Sequence, residues 1–185
     1  MKIFRSLLFP TLCAMIAFAT GTPARGAAKP KRLTVSDYFV MLPAGSLETP
    51  AVQWLRFLRQ PKCGVEDTVN GYLSGVGDGA QPEFQVALFR FRDDRPLLAV
   101  CQAESDQGGL DSVRLDFYQL NGQGQMVKAP RSIFPVKENP FPINQRTAHS
   151  YTLPRKGRTV LVRDASNGKV RQRFTWNGER FVEEK

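Results

Sequence analysis

Few residues in this chain have the types and spacing that catalysis requires. His149 is the only histidine, so the chain cannot build a metal site from several histidines, and no nucleophile-bearing motif precedes it. We expect His149 to be a loop residue. The carboxylates are spread along the chain, often as neighbours on a turn such as Asp93 and Asp94. A hydrolase that uses two carboxylates stays an open alternative, because such pairs meet only in the folded protein.

Two short motifs match known functional patterns in residue type and spacing, but not in the secondary structure that those patterns require. Gly75–Ala80 (GVGDGA) fits the dinucleotide-binding pattern, but a proline and a strand follow it, where the motif needs a helix N-terminus for the pyrophosphate. We expect a glycine loop with positive φ angles, in which Asp78 and Gln81 are candidate residues of a functional loop. Ser166–Lys169 fits the S-x-x-K pattern, which requires a helix, yet it spans a tight turn. Neither motif predicts a cofactor.

The N-terminal residues predict that the protein is exported. Lys2 and Arg5 precede the uncharged, mostly apolar run Leu7–Ala19, and small residues follow it as far as Ala28. This is the layout of a secretory signal peptide, and the run is shorter than the roughly 20 residues of a membrane span. We predict a signal peptide over residues 1–27, a disordered lead-in over 28–33, and export to the periplasm or the medium, without a lipid anchor or a transmembrane segment.

Export makes the cysteine count informative. Cys13 lies in the predicted signal peptide, which leaves Cys63 and Cys101 as an even pair in an oxidising compartment. This predicts a Cys63–Cys101 disulfide, with two buried free thiols as the alternative.

Loss of the signal peptide lowers the formal net charge from +9 to +6. A basic chain favours anionic partners such as nucleic acid, lipid headgroups or cell-wall polymers, but scattered charges are typical of an ordinary solvated surface. We do not expect a nucleic-acid partner, because Phe174 and Trp176 alternate to the face opposite Arg171 and Arg173.

The start of the mature chain predicts two short helices. Thr34 and Asp37 have the spacing of a capping box, and Pro43 ends the first helix. Thr49–Pro50 starts the second helix, with the threonine as N-cap and the proline at the first helical position, and Pro61 ends it.

The rest of the chain predicts antiparallel strands joined by turns. Glu83–Arg92 has apolar residues on both faces and should be a central strand. Asn167–Gly168 is a hairpin turn that would pair Leu161 with Phe174 on the core face. The other predicted strands cover residues 69–73, 97–102, 112–120, 125–128, 152–153, 159–164 and a last strand after Asn177–Gly178. We predict a mainly β (α+β) fold over residues 34–185: a curled antiparallel sheet, barrel or sandwich of hairpins after two short helices.

One proline-rich segment interrupts these strands. Pro130–Pro142 contains four prolines in thirteen residues, so it cannot sit within a ladder and should be an extended loop. The whole loop Pro130–Gln145 carries apolar and basic side chains together, which makes it the candidate partner-binding surface. An equal alternative is that it folds back over an open sheet edge. The candidate contacts are Arg131, Phe134, Lys137, Phe141 and Ile143.

Two segments resemble a group of small, uncharacterised, exported bacterial proteins. They are Leu33–Phe39 (LTVSDYF) followed by Leu42–Pro43, and Asn70–Leu73 (NGYL) followed by Gly77–Gln81 (GDGAQ). The resemblance implies a bacterial periplasmic or secreted setting and assigns no activity.

We therefore expect a non-enzymatic domain that binds another envelope or extracellular macromolecule. One alternative is a carrier of small apolar ligands, with a cavity lined by the strand at Phe84–Phe91; the second is the carboxylate hydrolase. No cofactor and no metal are expected.

Overall fold

Two antiparallel sheets and two short helices make up the part of the chain that the computed structural model describes. It describes residues 32–47, 49–75, 84–105, 111–136, 149–164 and 166–185. The predicted signal peptide, the lead-in as far as Lys31, and Asp78, Gln81, Lys137, Phe141 and Ile143 lie outside these residues. The helices are α1 (Val35–Val40) and α2 (Ala51–Leu58); the strands are β1 (Gly64–Asp67), β2 (Tyr72–Gly75), β3 (Phe84–Arg90), β4 (Pro96–Ser105), β5 (Asp111–Leu120), β6 (Met126–Lys128), β7 (His149–Thr152), β8 (Thr159–Asp164), β9 (Val170–Trp176) and β10 (Phe181–Glu183).

Strands that follow one another in the chain are neighbours in both sheets. The six-stranded sheet has the order β1-β2-β3-β4-β5-β6, and the four-stranded sheet has the order β10-β9-β8-β7. The predicted mainly β class is confirmed, and among the described residues the strands form two open sheets rather than one closed barrel. Sequence analysis did not predict β1, and it placed His149 in a loop, whereas this residue begins β7 opposite Asp164.

The two sheets pack face to face over an aromatic core, which we call the inner core. Phe89 and Phe117 come from the six-stranded sheet, and Trp176 and Phe181 come from the four-stranded sheet. The ring centroids of Phe117 and Phe181 are 5.3 Å apart, and those of Trp176 and Phe181 are 5.1 Å apart. Trp176 Nε1 donates a 2.7 Å hydrogen bond to the Arg90 carbonyl, so the buried indole also ties the sheets together.

The helices cover the other face of the six-stranded sheet and form an outer core. Phe84 of β3 stacks on Phe39 of α1 at 5.8 Å and contacts Trp54 of α2 at 4.2 Å between ring centroids. The central position predicted for β3 is confirmed: Phe84 and Val86 lie in the outer core, while Ala87 and Phe89 lie in the inner core.

The N-terminus of α1 is capped as predicted, whereas that of α2 differs from the prediction by one residue. Thr34 is the N-cap of α1, and both hydrogen bonds of the capping box with Asp37 are present. The N-cap of α2 is Pro50 rather than Thr49, because Pro50 has extended backbone angles (φ −55°, ψ 136°) and the helix begins at Ala51. In the described part of the chain, no helix has the length and apolar character needed to cross a membrane.

The register predicted for the β8–β9 hairpin is wrong by one residue. Phe174 pairs with Val160 instead of Leu161, and Leu161 pairs with Arg173. Next to the turn, Val170 pairs with Arg163, two residues from the predicted partner Ala165, and a bulge between Val162 and Arg163 reduces the difference to one residue. Since side chains alternate along a strand, a slip of one residue exchanges the two faces. Val160 and Val162 therefore fill the inner core, and Leu161 faces outward.

The structure contradicts the predicted disulfide: Cys63 and Cys101 are both free thiols. Cys101 lies in the inner core, where its Sγ is 3.9 Å from the Tyr151 carbonyl oxygen. Cys63 follows α2, whose buried side chains pack on the opposite face of the six-stranded sheet. The sheet therefore separates the two thiols.

A pair of glycines lets α2 rest on the sheet. Gly64 and Gly75 are directly opposite each other in β1 and β2. A Cβ at Gly64 would lie 2.2 Å from Leu58 Cδ2 and 2.3 Å from the Ser74 carbonyl oxygen, and one at Gly75 would lie 2.4 Å from Phe84 Cε1. Gly75 was expected in a loop with a positive φ angle; it ends β2 instead, outside the positive-φ set, and the constraint on it is close packing.

We expect Gly64→Ala to lower the free energy of unfolding by about 1–3 kcal/mol, because backbone must move to admit the methyl group. Urea denaturation measures the loss. Gly122→Ala is the matched control, since a Cβ there meets nothing within 4 Å. Equal midpoints for the two variants would contradict the close approach of α2.

An ion pair joins the β1–β2 hairpin to the loop before β8. Arg155 Nε lies 2.8 Å from Asp67 Oδ2, and Asn70 Nδ2 donates to the same carboxylate at 2.8 Å. The hydrogen bonds from Asn70 and then Arg155 lower the pKa of Asp67 from 3.8 to about 2. Because the pKa is lower in the folded protein, this carboxylate stabilises the fold above pH 3.8, and its contribution is lost as the pH falls toward 2.

Arg155→Gln should therefore reduce Tm at pH 7, and the reduction should shrink as the pH falls from 4 toward 2 and Asp67 is protonated in both proteins. Thermal unfolding followed by circular dichroism at pH 7, 4 and 3 measures this. Arg158→Gln removes an exposed neighbouring cation and is the control. A Tm difference for Arg155→Gln that stays constant across this pH range would contradict the pairing.

Candidate functional site

Arg131 and Phe134, the two candidate partner-binding residues that the structure describes, line one cavity of about 550 Å³. We call it the β5 cavity, because the edge of β5 forms one wall. Its lining residues are Leu115, Asp116, Phe117, Lys128, Ala129, Pro130, Arg131, Ser132, Ile133, Phe134, Pro135, Val136 and Tyr151.

The cavity exists because the ladder beside β5 stops early. β6 pairs with β5 only from Tyr118 to Leu120, and the last bond of this edge is from Ala129 N to the Phe117 carbonyl at 2.7 Å. Pro130 follows, and proline has no N–H to continue a ladder. The chain then turns away in a short 3-10 helix (Arg131–Ile133). Beyond this point, no strand among the described residues pairs with the outer edge of β5.

Phe134 forms the floor of the cavity and belongs to the inner core. Its side chain was expected to be an exposed contact, but Phe134 is only 8% exposed. Its ring centroid lies 5.3 Å from that of Phe117, 5.0 Å from Phe174 and 5.2 Å from Phe181. The described part of the proline-rich segment therefore folds back over the open side of the sandwich.

The rim of the cavity is charged. Asp116 is 5% exposed and lies between two cations, with Arg114 Nε 2.9 Å from Oδ2 and Lys128 Nζ 2.5 Å from Oδ1. Arg114 also donates through Nη2 to the Ser46 carbonyl at 3.0 Å, which anchors the loop after α1. A buried carboxylate loses its hydration, and ion pairs such as these offset that cost. The ion pairs leave the rim with an excess of positive charge, to which the exposed Arg131 adds.

The arrangement can hold a group that combines an apolar body with an acidic end. The apolar side chains of Leu115, Phe117, Ile133, Phe134 and Tyr151 are buried around the cavity, and Lys128 and Arg131 are exposed at its rim. Among the described residues that line the cavity, Asp116 is the one carboxylate, so these residues do not bring two carboxylates together.

The other reactive side chains among the described residues do not form a catalytic or metal site. Burial raises the pKa of the Cys101 thiol to about 12, so it is protonated at neutral pH and is a poor nucleophile. No group of three or more potential metal-ligating side chains occurs in the part of the chain that the structure describes.

Sequence analysis missed Asp116, Lys128 and Tyr151 as members of the site. Arg114 and Asp116 did carry a signal, because two opposite charges two residues apart on a strand share a face. Tyr151 reaches the cavity only because β7 packs near β5, and nothing in its local sequence indicates this.

We expect Phe134→Ala to lower the free energy of unfolding by about 3–5 kcal/mol, the usual cost of removing a buried phenylalanine ring. Arg131→Ala, three residues earlier on the exposed rim, should change it by less than about 0.5 kcal/mol. Guanidinium denaturation of both variants measures the difference. A cost below about 1 kcal/mol for Phe134→Ala would show that this ring is not part of the core.

No family model matches the chain, and no curated protein matches it. The fold is similar to the solved structure of a domain of an uncharacterized protein from Porphyromonas gingivalis W83, with a TM-score of 0.49 and 12% sequence identity over 81% of this chain and 97% of that chain.

Proposed function

We propose that this protein is an exported, non-enzymatic binding domain that holds an extended segment of another envelope or extracellular protein in the β5 cavity. The observation that carries this proposal is the joining of an apolar floor, a cationic rim and an unpaired strand edge in one cavity. Its volume of about 550 Å³ falls within the roughly 300–1,000 Å³ range of ligand pockets.

The strand edge supports a protein segment as the occupant. Leu115, Asp116 and Phe117 line the cavity, and this edge of β5 has no partner strand among the described residues beyond Ala129. An extended peptide that adds to a sheet edge gains main-chain hydrogen bonds, while its alternate side chains enter pockets beside the edge. The cavity floor would receive one such side chain.

The charges support an acidic segment. Lys128 and Arg131 lie at the rim with their side chains exposed, and Asp116 is already held by Arg114 and Lys128. A partner that places an Asp or Glu beside an aromatic or aliphatic residue would match both rim and floor.

The N-terminal residues support export of the protein. The charged start, the apolar run and the small residues that follow it have the layout of a signal peptide, which favours a partner in the envelope or outside the cell.

A carrier of a small amphipathic anion is the second candidate. The same cavity favours it, since a hydrocarbon chain would contact the apolar floor and a carboxylate would contact Arg131. The site of such a carrier would differ from the one expected from the sequence: Phe84, Val86, Ala87 and Phe89 of β3 are packed into the two cores and do not line the cavity.

The test is selection of a displayed library of linear heptapeptides on the purified protein. We expect enrichment of peptides that place an acidic residue next to an aromatic or aliphatic one. Charge reversal in Arg131→Glu should weaken the selected peptides about tenfold or more, corresponding to about 1.4 kcal/mol. Fluorescence anisotropy with labelled peptides measures the affinity.

Arg56→Glu is the control, because Arg56 is an exposed arginine on α2, in the layer on the opposite side of the six-stranded sheet. Equal weakening by Arg56→Glu and Arg131→Glu would contradict binding at the cavity. Absence of any enriched peptide, together with Arg131-dependent binding of oleate, would replace the peptide-binding proposal with the carrier.

A further inference from the structure

The outer face of the four-stranded sheet forms a second surface that the β5 cavity does not use. Tyr151, Val160, Val162, Phe174 and Trp176 point into the inner core. The residues that alternate with them point outward, and no described helix or strand packs on that side. We call the outward set the basic face: Ser150, Thr152, Leu161, Arg163, Arg173 and Thr175.

Positive charge is concentrated in this part of the chain. Residues 154–173 contain seven basic residues and one acidic residue, Asp164. Asp164 is buried and pairs with Arg171, and Arg155 pairs with Asp67. Arg163, Lys169 and Arg173 have no acidic partner among the described residues, and the side chains of Lys169 and Arg173 are exposed.

Arg163 is held in position by neutral acceptors. Its Nε donates to Thr152 Oγ1 at 2.9 Å, and its Nη1 donates to the Gly168 carbonyl at 2.8 Å. These bonds fix the guanidinium without neutralising its charge, so less conformational entropy is lost when an anion binds. Arg173 is on the neighbouring strand, opposite Leu161 and diagonal to Arg163.

One carboxylate borders this face beside Arg173: Glu184 follows β10, and its backbone N–H donates to the Arg173 carbonyl at 2.9 Å. Glu184 accepts hydrogen bonds from Thr175 and Thr159. Thr159 precedes Arg163 by four residues along β8, which is about 13 Å at the rise of a strand. At physiological ionic strength this exceeds the Debye length of about 8 Å, so Glu184 offsets part of the charge of Arg173 but does little to offset that of Arg163.

The face suits acidic polysaccharides better than nucleic acids. Binding of single-stranded nucleic acid relies on exposed aromatic rings on which bases stack, and the aromatic rings of β7 and β9 point into the core. Guanidinium groups instead form bidentate bonds with carboxylate, sulfate or phosphate groups, and the hydroxyls of Ser150 and Thr152 lie beside Arg163.

We propose that the basic face binds an anionic polysaccharide, one that carries carboxylate or sulfate groups, at a site separate from the β5 cavity. Arg163 provides a fixed guanidinium, and Arg173 and Lys169 provide two further cations along the same hairpin. The proposal does not depend on the peptide-binding function.

The test measures binding of the purified protein to heparin (sulfated), polygalacturonate (carboxylated) and neutral dextran, with the single-stranded oligonucleotide (dT)20 as the competing anion. We expect binding to heparin or polygalacturonate that falls with rising salt, and no binding to dextran. Lys169→Gln combined with Arg173→Gln should raise the dissociation constant about tenfold. Neither side chain makes a hydrogen bond with another described residue, so the fold should be kept; thermal unfolding checks this.

The matched control is Arg56→Gln combined with Lys62→Gln, which removes the same two residue types from exposed positions at α2 and just after it. It should change the dissociation constant less than twofold. Equal weakening by the two double variants would overturn the proposal, because it would assign binding to net charge alone. Tighter binding of (dT)20 than of either polyanion would overturn the polysaccharide assignment, and loss of heparin binding in Arg131→Glu would assign it to the β5 cavity.

Discussion

The six-stranded sheet is apolar on both faces, and the rest of the structure depends on covering both. Within β3, Phe84 and Val86 point one way while Ala87 and Phe89 point the other, and all four are nearly inaccessible to solvent. Because burial of one large apolar side chain contributes about 1.5–3 kcal/mol, neither face can be left in water. The helices α1 and α2 cover one face, and the four-stranded sheet covers the other.

The cavity follows from an imperfect match between these layers. A sheet of four strands is narrower than a sheet of six strands, so the side of the sandwich beside β5 needs another cover. Pro130 ends the β6 ladder there, and the following turn carries Phe134 back into the inner core. Phe134 fills the gap only in part, and a space of about 550 Å³ stays open below a cationic rim. The candidate site is thus a consequence of how the core is closed.

The same layering leaves one sheet face uncovered. The four-stranded sheet uses its inward side chains to close the core, and no described element packs on its outward side. That side carries hydroxyl and guanidinium groups, as expected of a solvated face, with Leu161 as an exception that the bulge at Val162/Arg163 moves outward. Arg163 is fixed by Thr152 and by the turn, so the bulge also shapes the surface that we assign to an anionic polysaccharide.

Local patterns in the sequence determined the strands around β3, their two-faced burial and the capping box at Thr34, because alternation and capping depend on residues only a few positions apart. The register of β8–β9, the separation of Cys63 from Cys101 and the burial of Phe134 could not be derived in this way. Each depends on which layer covers which face, and contacts between residues distant in the chain decide that. The types of groups available for binding were therefore readable from the sequence, whereas their convergence at the β5 cavity and on the basic face was decided by the packing of three layers.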